Sequence, residues 1–474
     1  MSAPAETRRL PEAAVSALGD GLAAALAPDR VLAGEDVLRQ HGRDESFHAP
    51  AAPDLVVYPL DVEEAARVVR TCAEHRAPIV PFGAGTSLEG HIAALRGGVS
   101  VDMSRMDGVL RLSIDDMDVT VQAGVTRRQL DERLRPEGVF FPVDPGANAT
   151  IGGMIATGAS GTTTVRYGAM RENVISLAVV TADGSVVRTR SRARKSSAGY
   201  DLTRLFIGSE GTLGLICEAT LRIQPTPEAM AAAVCPFGTL DGAVDTVLDV
   251  GRLGIPVARI ELADAAQIEA INRHDEMDHQ VAPTLFLEFH GSQTEVAAQA
   301  AEVQEVALEH GASQFVWATD EAERRRLWHA RHRAYDAARA TRPGSQGLTT
   351  DVCVPVSRLT ECILATQADI EQLGLPAPIV GHVGDGNFHV AVLVDPDDPE
   401  EIERAEAFHA RLVRRAIAMD GTCTGEHGVG YGKGAFLVEE HGAAGVAMMR
   451  AVKRALDPDD LFNPGKVADA AVPG

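Results

Sequence analysis

The sequence predicts an α+β protein, and three observations carry that prediction. A β–α–β unit opens the pattern at residues 54–83, and a series of short strands separated by turn residues fills 97–225. Beyond 230, strands alternate with helices long enough to cover them. With 474 residues the chain is about three times a typical domain, so two or three domains are expected.

The elements follow in order. Residues 11–48 are read as short helices. "DLVVYPL" (54–60) is a strand. In the segment after it, Asp61 is the N-cap, Glu64 three residues on completes a capping box, and Ala65, Val68 and Val69 form the apolar stripe. "PIVPFG" is the next strand. "VSVDM", "VTVQAG", "SLAVVTADG" and "GLICEATLRI" are β-runs set off by Gly, Asn and Asp. "QPTPEAM" (224–230) is the candidate linker. After it come strands at "AAAVCPF", "VARIEL", "TLFLEFHG" and "SQFVWAT", with helices at 239–252, 263–273, 293–310 and 320–340, a pattern that suggests ferredoxin-like units. The resulting domains are a helical segment 1–49, a first domain 50–227, a second 228–420 and a C-terminal segment 421–474.

Composition narrows the function classes. A net charge of −23 argues against nucleic-acid binding, which relies on Lys and Arg neutralising phosphates. The six cysteines (Cys72, Cys217, Cys235, Cys353, Cys362, Cys423) form no CxxC pair and read as reduced thiols. The N-terminus shows no apolar signal region, and no window of 18 residues is continuously apolar, so a cytoplasmic protein without a transmembrane segment is expected.

"PFGAGTSLEG" (81–90) is a strand entering a loop with Gly83, Gly85, Thr86 and Ser87. Consecutive backbone N–H groups in such a loop can point at a pyrophosphate. It lacks the third glycine of the dinucleotide fingerprint and the Walker lysine, so an ordinary turn stays open. Residues 142–174 add Gly152, Gly153, Gly158 and Gly161 among Ala and Thr, with no helical or strand period. Backbone lying flat against a large planar ligand explains that run. "GSEGTLGLI" (208–216) repeats the theme around Glu210.

A second constellation lies downstream. "GHVGDGNFH" (381–389) places His382 and His389 around a glycine turn, and "GEHG" (425–428) adds Glu426 and His427. Each taken alone reads as a turn or buried residue. Together, His–His–Glu with an open position is the pattern of a catalytic divalent-metal site, Zn or Mn, with His427 left over. Asp385 and Asn387 are expected to shape the turn. In the helix at 320–340, Arg331 interrupts a face of Leu327, Trp328, Tyr335 and Ala338, as a snorkelling residue or as an anion site. His290, His329 and His332 are taken as structural.

On these motifs, together with "HGRDES" (41–46), "FPVDPGA" (141–147), "TDVCVP" (350–355) and "LFNPGK" (461–466), nearly the whole chain resembles the FAD-dependent D-lactate dehydrogenase (cytochrome) family, mitochondrial type, of the vanillyl-alcohol-oxidase/p-cresol-methylhydroxylase (PCMH) superfamily. The resemblance implies a two-subdomain PCMH-type FAD-binding domain, a ferredoxin-like substrate or cap domain, and a C-terminal segment returning to the flavin. It maps the phosphate loop onto Phe82, Gly83, Ala84, Gly85, Thr86 and Ser87. Ring and ribityl contacts fall to Asp144, Pro145, Gly146, Gly152, Gly153 and Thr157, and further to Ala159, Ser160, Gly161 and Tyr167. Glu210, Ile216 and Asn463 complete the set. FAD is expected to be non-covalent, with His91 the nearest candidate for a covalent link.

The same resemblance makes His382, His389 and Glu426 metal ligands, His427 the base and Arg331 the substrate-carboxylate cation. The implied reaction is oxidation of a D-2-hydroxy acid, D-lactate first, by hydride transfer to flavin. Glycolate or D-2-hydroxyglutarate dehydrogenases are the alternatives within the superfamily, and a flavin-free metallohydrolase is the alternative outside it. The neutral Thr349 and Thr350 favour a monocarboxylate over hydroxyglutarate. An electron acceptor (cytochrome, quinone or other carrier) is implied, and homodimerisation is left open.

Overall fold

The structure is a computed structural model that describes residues 9–469, with the side chains of 329 and 330 outside the description, so the expectation for His329 falls outside it too. It divides into two compact units. One comprises residues 9–160, 168–225 and 426–469; the other comprises 161–167 and 226–425.

In the first unit, strand Leu55–Val57 runs parallel to Val99–Asp102, which in turn runs parallel to Ile79–Phe82. Helix Val62–His75 starts where the Asp61 carboxylate accepts the Glu64 N–H at 2.8 Å. Glu64 does not close the expected box onto Asp61. Its carboxylate accepts the Leu60 N–H at 2.9 Å and pairs with Arg30, a stronger partner than a backbone amide. The helix buries Val62, Ala65, Val68, Val69 and Cys72 in one core with Leu55, Val57, Ile79, Val99 and Val101. The second sheet is antiparallel, in the order Val109–Ser113, Asp118–Gln122, Leu215–Arg222, Val174–Val180, Val186–Arg188.

The 142–174 run contains three short helices, Ile151–Thr157, Thr164–Tyr167 and Met170–Asn173, where the sequence shows no period. The first is capped by Thr150, whose hydroxyl accepts the Gly153 N–H at 3.2 Å. Its glycines hide the pattern because Gly152 packs directly on Ala123, where a Cβ would stand 2.7 Å from the alanine methyl. The C-terminal segment runs alongside Ile79, which donates to Leu461 O at 2.7 Å and accepts from Asn463 N at 2.8 Å.

The second unit is built on one antiparallel sheet. Its first half has the order Val316–Ala318, Ala229–Pro236, Thr284–Gly291, Arg259–Ala263, which is fourth, first, third and second in chain order. That is the ferredoxin-like arrangement. The second half continues from Arg259–Ala263 through Ile379–Gly381, Asn387–Val394 and Gln346–Thr349. Its last strand is reduced to a bridge between Thr422 and Cys353. Two ferredoxin-like halves therefore join edge to edge, and the join pairs Leu262 with Gly381 and Ala263 with Val380. The helix expected at 320–340 is broken at Arg333 into Glu321–His332 and Ala334–Ala340. The break turns Tyr335 outward to 37% exposure and leaves Ala334, Ala337 and Ala338 to bury the face. All six cysteines are free thiols. Among the described residues no helix is long and apolar enough to cross a membrane.

Candidate active site

In the first unit the glycine loop leaves strand Ile79–Phe82 with Ala84 exposed and Gly85 at φ +69°. Phe82 is buried against the His41 ring, with centroids 4.2 Å apart. Gly83 lies against the cap of the 151–157 helix, where a Cβ would stand 2.3 Å from Thr150 Oγ1. The Ser87 hydroxyl donates to Asp44 at 3.0 Å, so any phosphate contact at Ser87 falls to its backbone.

Farther along, Asp144 and Ala159 are buried and Ile216 lies inside strand Leu215–Arg222. The Thr157 hydroxyl bonds back to Gly153 O at 3.2 Å. Gly146 and Gly208 face open space where a Cβ would project, and the buried Ser209 Oγ has no hydrogen-bond partner among the described residues. An open backbone face beside an unsatisfied hydroxyl fits a large polar cofactor such as FAD. Pro145 flanks that face and is half-buried.

Glu210 serves the protein. It accepts the N–H groups of Val429 and Gly430, each at 2.7 Å, and its Oε2 lies 3.1 Å from His91 Nε2. Burial alone would push the Glu210 carboxyl up, but His91 and the two amides hold it below its usual value. The same pairing raises the His91 imidazole against the opposing effect of its burial. Asn463 donates to Glu210 O at 2.7 Å and His91 O at 3.0 Å, and accepts from Lys466 at 2.5 Å. Together these bonds fix the backbone two and three residues beyond His427. Glu426 accepts a hydrogen bond from Ser160 Oγ at 2.5 Å.

The second unit holds the histidine pair and Arg331. Gly386 has φ +81°, and a Cβ there would stand 2.0 Å from Val354 O. Only glycine turns this hairpin. His389 lies on strand Asn387–Val394 opposite Val380, and His382 is two residues beyond Val380, so period-two alternation puts both imidazoles on one face. Their centroids are 5.5 Å apart and the rings stand at 83°. His382 Nδ1 is 2.8 Å from Glu261 Oε1, and His389 Nδ1 is 3.1 Å from Thr350 O. A carboxylate and a carbonyl only accept, so each Nδ1 carries the proton and each Nε2 carries the lone pair. That is how metal-binding histidines are held. Asn387 goes beyond the local turn and donates to Asp351 and Val352 O, each at 2.8 Å.

Arg331 is 7% exposed, bonds Glu261 Oε2 through Nη2, and keeps a buried Nε without a partner among the described residues. It is not snorkelling. Glu261, fully buried, was not singled out from the sequence. The available signal is a lone acid inside the apolar strand Arg259–Ala263. Segment 161–167, which includes Gly161, belongs to this unit. Tyr167 OH lies 2.8 Å from His290 Nδ1, and His290 Nε2 lies 2.7 Å from Glu288. His290 is thus the middle of a buried polar chain. Burial raises the Tyr167 phenol above its usual value.

Residues 53–190 match the FAD binding domain family, and residues 226–467 match the family of FAD linked oxidases, C-terminal domain. The chain is 51% identical to a probable mitochondrial D-lactate dehydrogenase of Danio rerio, over 93% of this chain and 89% of that protein. The chain belongs to the FAD-dependent D-lactate dehydrogenase family.

It is 47% identical to the mitochondrial D-lactate dehydrogenase (cytochrome) of Arabidopsis thaliana, over 90% of this chain and 76% of that protein. A glycolate oxidase subunit of Bacillus subtilis is 33% identical, over 88% of this chain and 89% of that protein. A solved structure of p-cresol methylhydroxylase superposes with a TM-score of 0.78 at 18% identity, covering 97% of this chain and 98% of that one. The fold is therefore the expected PCMH-type α+β fold, and the chain is an FAD-linked oxidoreductase. The cytoplasmic address expected from the sequence is overturned by the relatives, whose names place them in mitochondria.

Proposed function

We propose that this chain oxidises D-lactate to pyruvate with non-covalent FAD and one divalent ion, Zn or Mn. The observation that carries the metal-dependent form of the reaction is the pair His382 and His389, each with Nδ1 committed to an acceptor, which puts the lone pair of the neutral ring on Nε2. Glu426 completes the donor set. It directly follows Gly425, whose own position is bounded by Asn387 and Asp351 beside His389. Two imidazoles and a carboxylate suit either metal and leave coordination positions for a bidentate hydroxy acid.

Arg331 binds the substrate carboxylate. Its free Nε edge offers charged donors while Glu261 holds the other side of the guanidinium. His427 removes the hydroxyl proton, and the Glu210 bonds to Val429 and Gly430 keep its backbone in place. Ser160 orients Glu426 through one carboxylate oxygen. The divalent ion, when bound, makes the substrate hydroxyl more acidic. Bound FAD would supply the hydride acceptor for the C2 hydrogen and the link to an external electron acceptor, a cytochrome, quinone or other carrier.

D-lactate ranks above glycolate because two relatives named for D-lactate, those of Danio rerio and Arabidopsis thaliana, are 51% and 47% identical, against 33% for the glycolate oxidase subunit. The deciding experiment is anaerobic bleaching of the flavin by a panel of D- and L-2-hydroxy acids. Rapid bleaching by D-lactate is expected. Bleaching by glycolate or D-2-hydroxyglutarate alone would move the substrate within the superfamily, and a colourless protein would remove the flavin chemistry.

A further inference from the structure

We infer that Glu261 is a positioning residue that fastens the carboxylate-binding arginine to a metal-ligand histidine, so that both ends of a 2-hydroxy acid are held at one fixed separation. This rests on the roles proposed above for Arg331 and His382. Glu261 sits where the two ferredoxin-like halves join. The pairs Leu262–Gly381 and Ala263–Val380 extend to place it opposite position 382. It is completely buried, and its two oxygens divide between two elements. Oε1 takes His382 Nδ1 at 2.8 Å, and Oε2 takes Arg331 Nη2 from helix Glu321–His332.

A carboxylate buried this deeply is expensive unless its partners are charged and well aimed, and an apolar side chain would be cheaper for stability alone. Its geometric effect is specific. The carboxyl carbon of a 2-hydroxy acid is bonded directly to the carbinol carbon, so the cation for one end and the ion for the other must keep a short, constant spacing. Arg331 lies on a helix that ends at His332, and His382 lies on a glycine hairpin. One rigid carboxylate bonded to both removes their independent motion. It also fixes the His382 tautomer and orients Arg331 so that the Nε edge remains for the substrate.

The test uses FAD-loaded holoenzyme stripped of metal by a chelator and titrated with Zn²⁺ or Mn²⁺, followed by steady-state kinetics on D-lactate. Glu261→Gln keeps the shape, but its amide cannot accept from both partners. It should lower metal affinity roughly 10- to 100-fold and raise KM for D-lactate, with FAD content unchanged. Combined with Arg331→Lys, the KM effect should be smaller than the product of the two single effects, because both substitutions disturb one linkage. Wild-type metal affinity or wild-type KM in Glu261→Gln overturns the inference. If that variant fails to hold FAD, Glu261→Asp carries the test: one methylene shorter, it should restore at most one of the two readouts, and restoring both overturns the inference. His382→Asn provides the separate control. If it keeps metal at wild-type affinity, the metal reading itself fails, whatever Glu261 does.

Discussion

Replacing Lys433 with Met tests whether a buried ion pair holds the segment that carries His427. Lys433 is 1% exposed and its Nζ lies 2.8 Å from Oε1 of Glu89, itself 4% exposed, with His48 Nε2 at 3.3 Å from the other oxygen. Burial would raise the Glu89 carboxyl, but Lys433, His48 and His427 override it and bring it from 4.5 to about 2. That depression corresponds to about 3 kcal/mol favouring the ionised form. A carboxyl whose pKa is lower folded than unfolded stabilises the fold above its unfolded pKa. The stabilisation is therefore present above about pH 4.5 and is lost as pH falls towards about 2.

Lys433→Met leaves a buried carboxylate balanced by the imidazoles of His48 and His427 alone among the groups that lower it, so a loss of about 3–5 kcal/mol at pH 7 is expected. The loss should shrink below about pH 4.5, where Glu89 takes up a proton in the unfolded chain as well. Both tryptophans, Trp317 and Trp328, lie in the other unit, so urea unfolding is followed by flavin fluorescence on release and by far-ultraviolet circular dichroism. The double variant Lys433→Met/Glu89→Gln should recover most of the loss. A single variant within about 1 kcal/mol of wild type at pH 7, or a double variant no better than the single, refutes the reasoning.

His427→Asn should keep FAD and metal while slowing flavin reduction by roughly a hundred- to ten-thousand-fold in stopped flow, whereas Glu426→Gln should lose metal; reversed metal contents would reverse the two roles. Arg331→Lys should mainly raise KM, since lysine keeps the charge but loses the planar fork that serves Glu261 and the substrate together, and an unchanged KM would remove Arg331 from substrate binding. Gly386→Ala should destabilise by about 2 kcal/mol or more and lower metal content, because it adds a Cβ 2.0 Å from Val354 O at φ +81°; a stable variant with full metal content would show that the hairpin relaxes freely.

Much of the fold is legible in the sequence because its signals are local. The cap at Asp61, the stripe through Val68 and Val69, and the strand runs at 79–82, 99–102, 215–222 and 284–291 are set by capping chemistry and by hydrophobic period within a few residues. The helix Ile151–Thr157 escapes because its glycines serve close packing on Ala123, so no apolar stripe marks it. The break at Arg333 escapes because the apolar spacing runs on across it.

The same division holds at the site. His382, His389, Glu426 and His427 stand out by residue type and glycine flanks, which is information carried along the chain. Glu261 could not be reached that way. Its function depends on a strand pairing that brings residue 261 beside residue 382, and on a helix that delivers Arg331 to its second oxygen. Likewise, the sequence names Glu210 and Asn463, but only the tertiary structure spends their polar atoms on Val429, Gly430 and His91. The chemistry of this protein is written in side-chain identity. The tautomers, the orientation of the guanidinium and the bracing of the backbone at Val429 and Gly430 come from contacts between residues tens to hundreds of positions apart, which no local pattern encodes.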